Sequence, residues 1–175
     1  MKNKNIFIIG PLGAGKTTIG RQLAKRARFV FYDTDHEIEK LTGVSITTIF
    51  EIEGEAGFRK REKEVIEKLT QLDNIVLSSG GGSILAEENR RAFASRGTVI
   101  YLRASLETQL QRTNQRKGTR PLLNIANPMD KIIELHHIRV PLYQEIANFT
   151  YDTDVESPKE IADHIFDELF SEKKV

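Results

Sequence analysis

The sequence contains no cysteine. That excludes disulfides, thiolate zinc sites and a cysteine nucleophile, and a reducing, cytoplasmic compartment is the expectation. Long apolar runs are also missing. None exceeds four residues, far short of the roughly 20 needed to cross a bilayer, so no membrane attachment is expected. The basic start Met1–Asn5 leads only into Ile6–Ile9, too short for the core of a signal peptide. An excess of either charge is lacking as well: 26 Lys and Arg face 25 Asp and Glu, leaving +1. That balance speaks against a nucleic-acid coat or a polybasic anchor. No internal repeat, low-complexity tract or long linker interrupts the chain.

What is present is 175 residues, 39% hydrophobic and 29% charged, the size and composition of one globular domain. Short β-rich apolar runs predict strands at Ile6–Ile9, Phe29–Tyr32, Ile75–Ser78, Val99–Leu102 and Phe149–Tyr151, each expected to be buried on both faces. Between them, helical patterns cover Lys16–Arg28, Ser45–Glu53, Glu55–Gln71, Glu87–Arg96, Ser105–Gln111 and Pro128–Ile146. A final helix starts at Ser157, with Pro158 at its first position and Glu160 completing a capping box. This alternation predicts an α/β domain, a parallel sheet covered by helices on both faces.

Gly10-Pro-Leu-Gly-Ala-Gly-Lys-Thr-Thr18 matches the phosphate-binding pattern G-x-x-x-x-G-K-[ST], and it lies where that pattern belongs, after a strand and before a helix. Its glycines let backbone N–H groups approach phosphate oxygens, and the following helix adds its positive dipole end. Lys16 would reach the β- and γ-phosphates, and the Thr17 hydroxyl would ligate Mg²⁺. Thr18 either touches the α-phosphate or simply begins the helix. The D-x-x-G and N-K-x-D signatures of switch GTPases are absent.

The third strand runs into Ser79 and three glycines rather than an aspartate, so a metal carboxylate must come from elsewhere. Asp33-Thr34-Asp35, at the carboxyl end of the second strand, is the obvious source. In extended chain both carboxylates would point the same way. One could hold Mg²⁺ through water while the other orients a hydroxyl and accepts its proton, or either could cap a helix. Arg59 follows a Gly-rich, Phe-flanked stretch, although Glu55 offers it an ordinary helical partner. Gly80-Gly81-Gly82 suits close approach of backbone to a ligand, or a tight turn. From Thr108 to Met129 there is no carboxylate, while Arg112, Arg116, Lys117 and Arg120 sit there. Such a segment is either a solvated loop or a lid over something anionic. His36, His136, His137 and His164 form no metal-ligand pattern, and Tyr143 and Phe149 read as core.

Taken together, GPLGAGKTT, DTDHEIE at Asp33–Glu39, IFEIEGEAGFRKRE at Ile49–Glu62, GGG at Gly80–Gly82, RPLL at Arg120–Leu123 and RVPLY at Arg139–Tyr143 resemble the shikimate kinase family over nearly the whole chain. The resemblance implies a nucleoside-monophosphate-kinase-like fold, a three-layer α/β/α arrangement with strand order 2-3-1-4-5. It implies a single kinase domain with an acceptor-binding insertion over about residues 35–62 and a lid over about residues 112–127. The implied reaction is ATP- and Mg²⁺-dependent phosphorylation of the 3-hydroxyl of shikimate, on the route to chorismate and the aromatic amino acids. Shikimate contacts fall on Asp35, Arg59, Gly81 and Arg139, with Gly80 and Gly82 adjacent, and Phe50, Phe58 and Glu62 lining or bracing that pocket. Gly13, Ala14, Gly15, Lys16, Thr17 and Thr18 cradle the phosphates, and Asp33 joins Thr17 at the metal. Arg120 reaches the phosphates, while Arg112 stacks on adenine opposite the loop Thr153–Pro158. Lys16, Asp35 and Arg120 are thus the expected catalytic residues. ATP, ADP and shikimate are the expected partners of a monomeric enzyme.

Overall fold

The computed structural model describes residues 5–115 and 126–171. Five strands form one parallel sheet: β1 (Ile6–Ile9), β2 (Val30–Asp33), β3 (Ile75–Ser78), β4 (Thr98–Arg103) and β5 (Phe149–Asp152), in the order β2-β3-β1-β4-β5. Among the described residues, seven helices connect and cover them: α1 (Lys16–Ala27), α2 (Thr34–Thr42), α3 (Ile46–Leu69), α4 (Glu87–Arg96), α5 (Leu106–Asn114), α6 (Pro128–Ile146) and α7 (Pro158–Phe170). A short 3-10 turn occupies Ser83–Leu85.

The pleat of β1 sorts the core. Phe7 and Ile9 point to one face, where they meet Ile49, Phe58 and Val65 of α3, Phe93 of α4 and Tyr143 of α6. Ile6 and Ile8 point to the other, against Ile19 and Leu23 of α1 and Ile161 and Ile165 of α7. The predicted three layers follow from this alternation. Burial on both faces holds for β1 and β3 but not for β2 and β5, where Val30 is 55% exposed. Among the described residues those two are the outer strands of the sheet, with a strand neighbour on one side.

Local chemistry sets the helix ends. Ser45, Ser105 and Ser157 cap α3, α5 and α7 through hydroxyls that accept backbone N–H groups, and the predicted capping box of Ser157 and Glu160 is formed. The two helices expected on either side of Gly54 are continuous apart from that residue, whose left-handed φ of 69° kinks α3. The region between β2 and β3 is therefore mostly helical, α2 and α3 being joined by the short turn of residues 43–45.

Candidate active site

The carboxyl edge of the sheet carries a cleft of about 490 Å³. Its walls include Leu12 to Ile19, Asp33, Asp35, Gly80, Gly81, Arg112, Thr153 and Pro158. All of the predicted nucleotide-side residues within the described chain therefore share one cavity: Gly13, Ala14, Gly15, Lys16, Thr17, Thr18, Arg112 and Pro158. Gly13 and Gly15 adopt φ of 78° and 86°, left-handed values that bend the loop into the start of α1. Lys16 Nζ donates to the carbonyls of Gly10 (2.9 Å) and Pro11 (2.8 Å), holding its ammonium over the loop. Arg112 donates to the Gly13 carbonyl at 2.9 Å and to the Thr153 carbonyl at 2.6 Å, tying the phosphate loop to the Thr153–Pro158 loop. Arg120, with the rest of 116–125, lies outside the described residues.

Asp33 and Asp35 both line the cleft, though not as an extended pair. The chain turns into α2 at Thr34 because Asp33 caps that helix, its Oδ1 accepting the N–H of Asp35 at 3.1 Å and of His36 at 3.3 Å. The other oxygen, Oδ2, accepts the Thr17 hydroxyl at 2.8 Å. Capping and a place beside Thr17 are thus compatible, one carboxylate oxygen serving each. Asp35 Oδ1 is buried without a hydrogen-bond partner. Burial, with Asp33 adding repulsion, lifts the Asp35 pKa from its usual 3.8 to about 6, against the pull of Lys16 and Arg59.

A second cluster adjoins the cleft at Asp35, Gly80 and Gly81. Arg59 Nη1 donates to Glu62 Oε1 at 2.8 Å, and its other arm reaches the more exposed Glu55 at 3.3 Å. Glu62 is 1% exposed, and burial raises its pKa to about 7 despite Arg59. Arg139 is 4% exposed, and burial lowers its pKa. The atoms Arg59 Nε, Arg139 Nε and Glu62 Oε2 are buried and unpartnered. All three side chains, with Asp35, pack against the glycine turn. A Cβ at Gly80 would lie 2.9 Å from Glu62 Oε2 and 3.3 Å from Asp35 Oδ1, one at Gly81 3.3 Å from Arg139 Nη1, and one at Gly82 within 2.7 Å of Arg59 Nη1. The turn is side-chain-free because these groups occupy the space. Phe58, 4% exposed, braces the cluster: its ring contacts Phe50 at 4.8 Å and lies 5.1 Å from the Arg59 guanidinium carbon.

Every predicted acceptor-side residue therefore converges here. Two residues at the turn were not predicted: Thr34, whose Oγ1 accepts the Gly80 N–H at 2.9 Å, and Tyr143, which donates to the Gly81 carbonyl at 2.6 Å. Tyr143 sits four residues after Arg139 on a helix, a spacing that puts both on one face and could have flagged it. Among the described residues, no group of three or more His, Asp or Glu could hold a metal ion, and no helix is long and apolar enough to cross a membrane.

A phosphate loop and a buried, doubly cationic acceptor cluster on a parallel 2-3-1-4-5 sheet define a P-loop kinase. The family model of shikimate kinase matches residues 12–170, and the chain belongs to that family. It is 52% identical over 162 residues to a shikimate kinase of Coxiella burnetii (strain Dugway 5J108-111), covering 92% of this chain and 90% of that one. With a shikimate kinase of Actinobacillus pleuropneumoniae serotype 5b the identity is 50% over 166 residues, covering 95% of both. The solved structure of the shikimate kinase from Acinetobacter baumannii in complex with shikimate superposes with a TM-score of 0.94 at 46% identity, covering 99% of this chain and 96% of that one.

Proposed function

We propose that this chain transfers the γ-phosphoryl group of ATP to the 3-hydroxyl of shikimate, yielding ADP and 3-phosphoshikimate on the route to chorismate. The observation that carries the reading is the acceptor cluster of Asp35, Arg59 and Arg139 around the glycine turn, directly beside the phosphate loop. Shikimate has one carboxylate and several hydroxyls. Two guanidinium groups with free buried N–H suit the former by charge-assisted hydrogen bonds, and the unpartnered Asp35 oxygen suits a hydroxyl. The relative from Acinetobacter baumannii, solved with shikimate, supports the same acceptor for this chain.

In the reaction a bond forms between the 3-oxygen and the γ-phosphorus while the bond to the β–γ bridging oxygen breaks. Asp35 orients the hydroxyl and accepts its proton, early or late in the transfer. Lys16 neutralises charge that grows on the moving phosphoryl group. Arg120 is assigned the same task on its motif alone. Gly13 to Thr18 hold the phosphates, and Arg112 and Pro158 flank the adenine. Residues of about 35–62 serve as the acceptor-binding insertion.

The Thr17 hydroxyl and the Asp33 carboxylate, 2.8 Å apart on the cleft wall, are hard oxygen donors. They fit Mg²⁺, which keeps most of its waters and needs one or two protein oxygens. Thr17 would hold the ion directly and Asp33 through its water shell. When bound, the ion supplies charge neutralisation on the phosphates. The cysteine-free chain suits a reducing, cytoplasmic compartment. A monomer is the expected state, checked by light scattering.

The test is ADP release by the purified protein with ATP, Mg²⁺ and, separately, shikimate, gluconate and nucleoside monophosphates. Shikimate should stimulate release strongly and the others little. ADP release indifferent to shikimate would sink the reading.

A further inference from the structure

Gly80–Gly82 carries no side chain with which to fix its own conformation, and glycine backbone is the most permissive there is. Yet Gly81 is the point at which the acceptor cluster and the phosphate loop meet. A Cβ there would lie 3.3 Å from Arg139 Nη1 and 3.4 Å from the carbonyl oxygen of Gly10. Two fully buried hydroxyls grip the turn from separate elements. Thr34, at the start of α2 and 0% exposed, accepts the Gly80 N–H at 2.9 Å. Tyr143, on α6 and 1% exposed, donates to the Gly81 carbonyl at 2.6 Å. The Tyr143 ring stacks on Tyr101 of β4, with centroids 5.0 Å apart, and the strand partner of Tyr101 is Ile9, the residue before Gly10.

We infer that Thr34 and Tyr143 are positioning residues that clamp the glycine turn and thereby set where Arg139 and Asp35 stand relative to the phosphate loop. The carbonyl and the N–H of a trans peptide point in opposite directions. Holding the Gly81 carbonyl against Tyr143 therefore also fixes the direction of the Gly82 N–H. Tyr143 and Arg139, one helical turn apart on α6, both meet Gly81, so the phenol ties the arginine's helix to the turn. Thr34 does the same for the helix start that carries Asp35. Neither hydroxyl reaches the loop glycines that face nucleotide phosphates, so the clamp acts on acceptor binding and leaves nucleotide binding alone.

This inference rests on the shikimate reading, and the test separates the two. Steady-state kinetics are measured for the wild type, Tyr143→Phe, Thr34→Val and Thr34→Ser. The phenylalanine keeps the stack and loses the hydroxyl, valine keeps the shape of threonine, and serine keeps its hydroxyl. Tyr143→Phe and Thr34→Val should each raise KM for shikimate roughly tenfold while KM for ATP stays within about twofold. Thr34→Ser should stay near the wild type. If Tyr143→Phe does not fold, the two Thr34 variants decide between them. An active wild type whose shikimate KM is unchanged in Tyr143→Phe and Thr34→Val overturns the clamp alone, as does an equal rise in both KM values or a loss confined to thermal stability. A wild type that does not use shikimate overturns the functional reading and the clamp with it.

Discussion

Asp35 and Glu62 are carboxyl groups held where charge is disfavoured, and each keeps one buried oxygen without a partner. Their pKa values of about 6 and about 7 lie above the ordinary 3.8 and 4.5, chiefly through burial. The folded chain therefore binds protons that the unfolded chain has already released. In that window stability falls as pH rises, from about 4 to 6 for Asp35 and on to about 7 for Glu62. Asp35→Asn should remove its part of that slope and raise stability at pH 7 by on the order of 1 kcal/mol, a value reduced for the partial exposure of the site. Urea unfolding of wild type and variant between pH 4 and pH 8 checks this; parallel curves would contradict it. The same variant should still bind ATP and lose most turnover. Glu62→Ala should cost about 2 kcal/mol by emptying a buried site and leaving the partly exposed Arg59 guanidinium only Glu55 as a partner, and Glu62→Gln distinctly less, measured by the same unfolding. Asp35 was legible in the sequence because D-x-D closes a strand beside a phosphate loop. The capping geometry that splits the two oxygens of Asp33 was not, since it depends on where α2 begins. Tyr143 reads as core, which its burial bears out; its bond to Gly81 pairs residues 62 positions apart, so only its spacing from Arg139 hints at it.

Among the elements, the glycine turn after β3 leaves no room for a side chain beside the cluster. Gly82 has an ordinary negative φ of −90°, so its backbone would accept alanine, but the new methyl group would enter the space of the Arg59 guanidinium. Gly82→Ala should therefore fold, bind ATP normally and weaken shikimate binding about tenfold or more, read by calorimetric titration of each ligand. Unaltered shikimate affinity would show that Arg59 is not held as described. Most elements were legible from period and punctuation. Gly54 marked the kink in α3, and Ser157, Pro158 and Glu160 marked the start of α7. What failed was burial: β2 and β5 are as β-rich as the central strands, and only their place at the sheet edges exposes them.

At the scale of the molecule, the strand order joins two half-sites. β1 in the centre delivers the phosphate loop, β2 and β3 deliver the aspartates and the glycine turn, and α3 and α6 bring two arginines from distant parts of the chain to that turn. Periodicity alone predicted a parallel sheet but not this order, which is a matter of long-range pairing and came from the family resemblance. Lys16→Ala should lower kcat by roughly 10²–10³ without unfolding the domain, because it removes transition-state charge stabilisation from a loop whose shape its glycines maintain. Stopped-flow or steady-state rates, with circular dichroism as the control, test that. On this geometry the acceptor lies over Gly80–Gly82, between Arg59 and Arg139. A crystal structure of the chain with shikimate and ADP would decide the point. The shikimate carboxylate should sit on both guanidinium groups and a ring hydroxyl on Asp35 Oδ1, with Arg59 detached from Glu55 while still bound to buried Glu62. Shikimate bound elsewhere, or held with Arg139 out of contact, would contradict it.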